Sequence, residues 1–435
     1  MSTITIYTHR ITGRNRYIFR LYFRDLLGME VRITDNAEEF LAAEGVKLSY
    51  TTQPLKDELF FLSRNLLFET GISEQNITVF DWEGNKAFFS SGKTSALPFD
   101  LFAAGFYLVS RYEEYLPHIR DRLDRFDAHQ SLAWLHGFLH VPVVNRWAIL
   151  LKEKILERFP GTVFREEGYR FIPSIDIDNA WAYLEKGVMR TAGGYARSVF
   201  RMDFEDFRRR TQVLLHTRKD PYDTYEYQLS LMKKTGVRPM YFFLVGDYGV
   251  NDKNVSTQRR KFRELIRHLA DYSEIGVHPS FASNTLPGKL QVEIQRLKNI
   301  VHREITNSRQ HFLMLRFPNT YRNLIERDIT DDFSMGFANE PGFRAGICTP
   351  FFFYDLDLES ETVLRVHPFT VMDATLNLYL KLTPEEAIAK IKLLNEEVRK
   401  VNGTFMSLWH NETLSDEKEW KGWRIVYEEL LKIAT

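Results

Sequence analysis

The sequence contains very little cysteine and no excess of charge. Cys348 is the single cysteine among 435 residues, which excludes an internal disulfide and a four-cysteine zinc site. The 58 lysines and arginines are balanced by 58 aspartates and glutamates. A neutral chain gives no electrostatic reason to expect a nucleic acid as partner.

Long hydrophobic runs are also missing. The longest candidate, residues 99–109, falls short of the roughly 18 apolar residues that a membrane span requires. The first residues lack the apolar segment of a signal peptide. We therefore expect a soluble, cytoplasmic protein without a membrane span. Aromatic residues, in contrast, make up 14% of the chain and are sufficient for a large core.

The length predicts two domains. Residues 1–165 alternate short strands and helices, which indicates a small α/β domain of unknown role. Residues 166–435 repeat a strand followed by a helix, which is typical of a (β/α) barrel. One predicted strand of this second domain covers residues 311–315.

Polar side chains lie where the predicted strands of the second domain end. Asp176 and Asp178 are two residues apart at the end of an apolar strand, so both carboxylates project from one face. His278 and His410 end two further strands, and His311 lies within another. Barrel enzymes carry their chemistry at strand ends, so these residues predict an active site. The alternative is a strand end whose acids simply contact solvent.

Five short segments carry the candidate residues, and their order along the chain is informative. They are SIDIDNA, EIGVHPSFAS, SRQHFLML with RFPNTYR, DDFSMGF and SLWHN. In this order, residues 166–435 resemble the polysaccharide deacetylases of carbohydrate esterase family 4, which share the NodB-homology domain. The resemblance is to an uncharacterised branch with an added N-terminal α/β domain. It implies a distorted barrel of about seven strands and a metal-dependent hydrolase, an N-deacetylase of an N-acetylated sugar or polysaccharide precursor.

The resemblance also implies roles for single residues. Asp176 corresponds to the catalytic base, Asp178 and His278 to metal ligands, and His410 to the general acid. The family has a second histidine four positions after His278, where this chain has Ala282.

Two residues of the third segment complete the predicted centre. On the predicted strand, Arg309 and His311 share a face. We therefore expect Arg309 to orient Asp176 and His311 to supply the missing ligand. Arg316, which has the family's spacing to Pro318, is the other candidate for the orienting arginine. A turn role for His278, a core role for His311 and a plain ion pair for Arg309 are the structural alternatives.

The predicted ligands, one carboxylate and two imidazoles, suit a single divalent cation. Zinc is the first expectation, and cobalt, nickel and iron are alternatives. The expected partner is a small-molecule or oligosaccharide substrate, and the sequence leaves the oligomeric state open. The residues predicted to contact this substrate are Asp332, Trp409, Phe281 and Arg316.

Two other functions are compatible with the same residues. One is hydrolysis of a C–N bond in a non-sugar amide. The other is a catalytically degenerate protein that binds a glycan or a protein partner, and Ala282 is the residue that motivates it.

Overall fold

The computed structural model describes residues 2–165 and 167–435. The predicted domain boundary falls at Glu166, which, like Met1, lies outside the described residues. Among the described residues, no helix is both long and apolar enough to cross a membrane.

The first part of the chain forms a parallel four-stranded sheet of order β2-β1-β3-β4 and a small hairpin, β5-β6. Its strands are β1 (Thr3–Thr8), β2 (Glu30–Thr34), β3 (Val46–Thr51), β4 (Leu59–Leu62), β5 (Phe80–Trp82) and β6 (Asn85–Ala87). Its helices are α1 (Gly13–Phe19), α2 (Ala37–Ala42), α3 (Leu101–Val109), α4 (Leu132–Leu135) and α5 (Val143–Arg158). The predicted α/β character of this part is confirmed.

The second part contains a larger sheet. Its strands are β7 (Arg170–Ile177), β8 (Met240–Phe243), β9 (Ile275–Val277), β10 (Asn307–Ser308), β11 (Asp331–Asp332), β12 (Phe351–Asp355), β13 (Ser360–Val366), β14 (Val371–Met372) and β15 (Thr404–His410). Its helices are α6 (Val188–Phe200), α7 (Phe204–Leu214), α8 (Tyr225–Thr235), α9 (Arg260–Ala270), α10 (Lys289–Val301), α11 (Asn319–Ile325), α12 (Pro384–Arg399) and α13 (Arg424–Ala434).

The strand order of this sheet is β12-β13-β11-β10-β9-β8-β7-β15-β14, and every pairing is parallel except that of β12 with β13. Within the described residues, no pairing joins the two end strands, so a large parallel-rich sheet is present and the closed barrel is not shown. Side chains of successive strand residues point to opposite faces. One face packs into the main core, and the other carries a second apolar cluster that includes Phe242, Met406 and Leu408.

The strand predicted at residues 311–315 is wrong. The strand in this region is β10, which ends at Ser308, and residues 311–313 form a short 3₁₀ turn. Arg309 and His311 therefore follow the strand. Their backbone N–H groups still donate to the carbonyl oxygens of Val277 and Pro279, which keeps this segment alongside the chain that leaves β9.

The two parts of the chain share one continuous hydrophobic core. Polar contacts add to it. Arg14 pairs with Glu359 at 2.5 Å, and the hydroxyl of Tyr17 donates to the carbonyl oxygen of Phe352 at 2.7 Å. The first part is thus packed directly against the sheet that carries the candidate site.

Candidate active site

The two acids of the opening motif lie at the end of β7, the strand beside β15. The register of this pair places His410 directly opposite Asp176. Asp176 is the last but one residue of the strand and is almost fully buried, while Asp178 follows the strand end and is partly exposed. His278 Nε2 is 3.1 Å from Asp178 Oδ1 and 3.8 Å from Asp176 Oδ2, so both carboxylates face one imidazole.

Arg309 holds Asp176 in place. Its fully buried guanidinium donates from Nη1 to Asp176 Oδ1 at 2.9 Å and from Nε to the carbonyl oxygen of Phe333 at 3.0 Å. The guanidinium also lies 4.3 Å from the centre of the Phe242 ring. Since Oδ1 of Asp176 accepts the arginine, Oδ2 is the oxygen that faces the other site residues.

Three histidines of the site are anchored in the same way, each through its Nδ1 atom. The acceptor is a carbonyl or carboxylate oxygen in each case, so Nδ1 carries the proton and donates it. His278 donates to the carbonyl of Arg309 at 2.5 Å, His311 to Asp252 Oδ1 at 2.9 Å, and His410 to Asp373 Oδ1 at 2.8 Å. This arrangement leaves each Nε2 available for a ligand or a proton.

All three Nε2 atoms point toward Asp178. The distances from Nε2 to the nearer Asp178 oxygen are 3.1 Å for His278, 3.5 Å for His311 and 4.0 Å for His410. Oδ1 of Asp178 is buried and accepts no hydrogen bond from any described residue. A buried carboxylate oxygen without a partner is costly, and a cation between it and the imidazole lone pairs removes that cost.

These atoms fit a divalent metal. One ligand atom each from Asp178, His278 and His311 lies within 4.8 Å of the other two. Two imidazole nitrogens and one carboxylate oxygen are the donor set of many catalytic zinc sites, in which further positions stay open for water and substrate. Ala282 offers no ligand atom, whereas His311 Nε2 comes within 3.5 Å of Asp178 from the turn after β10.

The charges of the site shift one another's protonation. Burial alone would raise the pKa of Asp178, but the imidazoles of His311 and His278 hold it well below its usual range. Burial lowers the pKa of His311, and Asp178 and Asp252 outweigh burial and raise it to about 9. Burial likewise lowers the pKa of His410, and Asp373 above all raises it well beyond its ordinary value.

Asp252 and Asp373 fix the orientation of two of the histidines. Asp252 is buried in the loop before α9, and its Oδ1 also accepts the backbone N–H of Phe281 at 2.9 Å. Asp373 is fully buried and accepts the backbone N–H of His410 at 2.7 Å and the hydroxyl of Thr413 at 2.6 Å. Carboxylates that hold the far nitrogen of a metal-binding or catalytic histidine set its tautomer and ring orientation.

The turn after His311 has an unusual backbone. Phe312 and Leu313 have φ values of 58° and 56°, a left-handed conformation that costs free energy for residues other than glycine. The Phe312 ring stacks on the His311 ring with centres 4.0 Å apart. Arg125, from the first part of the chain, donates to the carbonyl oxygen of Phe312 at 3.1 Å and to the hydroxyl of Tyr379 at 3.1 Å. The first part of the chain thus supports the turn that carries His311.

The site opens into a cavity of about 190 Å³. Its wall combines the charged centre with apolar and aromatic side chains, including Met372, Leu408, Tyr379 and Trp420. Glu412 also borders the cavity, and removal from water together with the neighbouring Asp178 raises the pKa of Glu412 to about 7. The cavity therefore offers one polar, charged end and one apolar, aromatic side.

The structure places the four predicted substrate contacts outside this cavity wall. Asp332 is fully buried and accepts the hydroxyls of Ser308 and Ser334 at 2.8 and 2.9 Å, a structural role. Trp409 is buried against Tyr427 because it points to the opposite face from Leu408. Phe281 packs edge-on against Phe312. Arg316 is exposed and pairs with Asp124, so Arg309 is the arginine that reaches Asp176.

Asp252 and Arg125 are not among the site residues predicted from the sequence. Asp373 accepts the following backbone N–H, of Ala374, and it orients His410 as well. Its position next to β14, the partner strand of β15, was the signal that could have revealed this second role. Asp252 and Arg125 contact the site across 59 and 187 positions, and no local pattern encodes such contacts.

Comparison with known proteins adds a family for the first part of the chain. Residues 4–160 match a family of unknown function, DUF7033. No curated protein matches the chain.

Among solved structures, the chain is similar to a protein described as a polysaccharide deacetylase from Mycobacterium smegmatis. The TM-score is 0.42 and the identity 13%, over 62% of this chain and 85% of that one. It is also similar to a polysaccharide deacetylase from Bacillus cereus, with a TM-score of 0.28 and 12% identity over 61% of this chain and 86% of that one.

Proposed function

We propose that this protein is a metal-dependent hydrolase of amide bonds, an N-deacetylase that acts on an N-acetylated sugar or a polysaccharide precursor. The observation that carries the proposal is the convergence of the His278 and His311 Nε2 atoms on Asp178. These atoms lie between the Asp176 carboxylate, which Arg309 holds, and the His410 imidazole, which Asp373 holds. We further propose that residues 1–165 and 166–435 are two domains, and that the first contributes Arg125 to the cavity of the second.

Asp178, His278 and His311 are the residues that would hold the metal. A divalent cation held by these residues would supply Lewis-acid chemistry, namely polarisation of a carbonyl and a lowered pKa of water. Asp252 and the carbonyl of Arg309 keep the two imidazoles in the tautomer that presents Nε2. The protein therefore contributes metal-ligand atoms that are held in a fixed orientation.

Asp176 acts as the general base. Its Oδ1 is occupied by Arg309, and its Oδ2 lies on the side of His278 and the cavity. This oxygen takes a proton from the water that attacks the acetyl carbon. Burial together with the arginine keeps the carboxylate in one orientation, so the transfer requires no rearrangement.

His410 acts as the general acid. Asp373 raises the pKa of His410, which favours the protonated ring, and Nε2 is the nitrogen left free to donate. As the C–N bond breaks, this proton goes to the leaving nitrogen, and the products are a free amine and acetate. Base and acid belong to adjacent strands, β7 and β15, and border the same cavity.

The volume of the cavity favours a substrate group of modest size. Its volume of about 190 Å³ is below the roughly 300–1,000 Å³ of pockets that bury drug-sized ligands, so it fits one acetylated ring rather than a chain of them. Trp420 and Tyr379 offer aromatic faces of the kind that stack on sugar rings.

The test is metal analysis combined with acetate release from N-acetylated sugars. The protein is expected to hold one divalent metal per chain and to release acetate, and Asp178→Ala and His278→Ala are expected to lose both properties. Asp247→Ala, an exposed acid paired with Lys289 and Arg296, is the matched control and is expected to keep both. Full activity in Asp178→Ala, or a metal-free protein that stays active, would refute the proposal. Release of ammonia or another amine only from non-sugar amides would instead support the second hydrolase function.

A further inference from the structure

The helix pair α6–α7 exposes an unusual amount of apolar surface. Phe200 is 90% exposed and Met189 is 89% exposed. The exposed apolar residues of this surface, here called the α6–α7 surface, are Val188, Met189, Val199, Phe200, Met202, Phe204, Phe207 and Leu215. Isolated exposed apolar residues are common, but a contiguous set marks an interaction site.

Helix α6 is oriented with its apolar face toward solvent. Val188, Ala192 and Val199 share one side of the helix with Met189 and Phe200, and all of these residues are exposed. The polar side faces the protein. The buried hydroxyl of Ser198 donates to Asp206 at 2.6 Å, and the Tyr195 hydroxyl lies 3.0 Å from that of Thr211. An ordinary surface helix has the opposite orientation.

Arginines outnumber acids on this surface. Glu205 pairs with Arg209 and Asp206 pairs with Arg210, while the exposed Asp203 caps α7. The exposed arginines Arg197, Arg201 and Arg208, in contrast, form no ion pair with any described residue. The surface therefore presents an apolar face flanked by three free guanidinium groups.

We propose that the α6–α7 surface binds the surface of an anionic lipid bilayer. Interfacial helices insert an apolar face below the headgroups while basic residues contact anionic lipids, and both features are present here. A second copy of the chain is a poorer occupant, because a twofold interface would set this arginine-flanked surface against itself. The proposal does not depend on the chemistry of the site.

The α6–α7 surface is connected to the candidate site by one loop. Arg190, on the inner side of α6, donates to the carbonyl oxygen of Asn254 at 2.9 Å and lies 3.9 Å from the centre of the Tyr248 ring. The same loop carries Asp252, which orients His311. Val250, on the same loop, is 85% exposed.

The test is co-sedimentation of the full chain with vesicles. Binding is expected for phosphatidylcholine vesicles that contain phosphatidylglycerol, to fall with added salt, and to be weak for phosphatidylcholine alone. The triple variant Arg197→Gln, Arg201→Gln, Arg208→Gln is expected to lower the partition coefficient on the order of a hundredfold. The variant Met189→Ser, Phe200→Ser is expected to lower it about tenfold or more.

Matched controls carry the same chemical changes elsewhere on the surface. Arg238→Gln, Arg263→Gln, Arg303→Gln removes three exposed arginines, and Leu393→Ser, Ile425→Ser removes two exposed apolar residues. Both controls are expected to bind like the unaltered protein.

Three results would overturn the proposal: no binding to anionic vesicles at low salt, equal loss in the controls, or equal binding to neutral vesicles. A dimer in light scattering that Met189→Ser, Phe200→Ser dissociates, without vesicle binding, would assign the surface to a second copy instead. Acetate release from a water-soluble substrate is expected to be unchanged in all four variants, which separates this proposal from the proposed function.

Discussion

The cluster around Glu114 and the cluster around Asp178 differ in how completely their buried charged atoms are paired. The first joins the two parts of the chain. Glu114 accepts from Arg111 at 2.8 Å and from Arg344 at 2.6 and 2.9 Å, and Arg344 also donates to the carbonyl of Gly336. The second is the candidate site, where Asp178 Oδ1 has no hydrogen-bond partner among the described residues.

We call the Glu114 cluster closed, because its charged atoms are paired, and the Asp178 cluster open, because Asp178 Oδ1 is not. Removal of one partner from a closed cluster leaves unpaired buried charge. In the open cluster, Asp178 Oδ1 faces imidazole nitrogens in an arrangement that a bound cation would complete. Burial and charge are common to both clusters, so pairing, rather than burial, is the informative property.

The largest effect is expected from breaking the closed cluster. Glu114→Gln leaves Arg344 buried without a carboxylate and Arg111 with Glu113 alone, so the free energy of unfolding should fall by about 3–5 kcal/mol. Urea or guanidinium denaturation measures the change. Glu113→Gln, which removes the other carboxylate that pairs with Arg111, is the control and should lower the free energy of unfolding much less. Equal stability of Glu114→Gln and the unaltered protein would contradict the distinction.

Acid should also weaken the closed cluster, because it protonates Glu114. Burial alone would raise the pKa of Glu114, but Arg344 and Arg111 lower it from 4.5 to about 2. A carboxyl group with a depressed folded pKa adds stability above its unfolded pKa, and this stability is lost as the pH falls through the folded value. The loss should be on the order of 3 kcal/mol between about pH 4.5 and 2. Denaturation at several pH values should show a shallower slope for Glu114→Gln in this window.

A smaller effect is expected from a change at Asp252, which contacts the far ring nitrogen of His311 in the open cluster. Asp252→Asn removes the carboxylate that orients His311 and should weaken metal affinity about 10- to 100-fold. Competition with a chelator of known affinity measures this change. Asp271→Asn, on an exposed acid at the end of α9, serves as control and should bind metal like the unaltered protein.

The smallest effect is expected for the stability of the metal-free open cluster. Asp178→Asn removes the carboxylate that faces His278 and His311 but leaves the Nδ1 partners of both histidines in place, so the metal-free protein should lose less free energy of unfolding than Glu114→Gln does. Added zinc should raise the melting temperature of the unaltered protein, since a ligand that binds only the folded state stabilises it, but not that of Asp178→Asn. Destabilisation of metal-free Asp178→Asn as large as that of Glu114→Gln would show that Asp178 behaves like a member of the closed cluster.

The sequence predicts those parts of the site that depend on one strand at a time. Asp176, His278 and His410 follow apolar strand patterns, and the structure places each at a strand end. His311 is predicted within a strand, but β10 ends at Ser308 and the chain turns at Phe312 and Leu313, which have left-handed conformations. Arg125 donates to the carbonyl oxygen of Phe312 from a distant part of the sequence, and the residues of the turn do not encode this contact.

The contact between Arg125 and Phe312 makes the cavity depend on both parts of the chain. A recombination event that exchanged the upstream segment would leave the acids and histidines intact, but it would replace Arg125 in the cavity lining. The two segments must therefore be inherited together for the cavity to keep this lining. Codons that lie 187 positions apart thus shape one cavity.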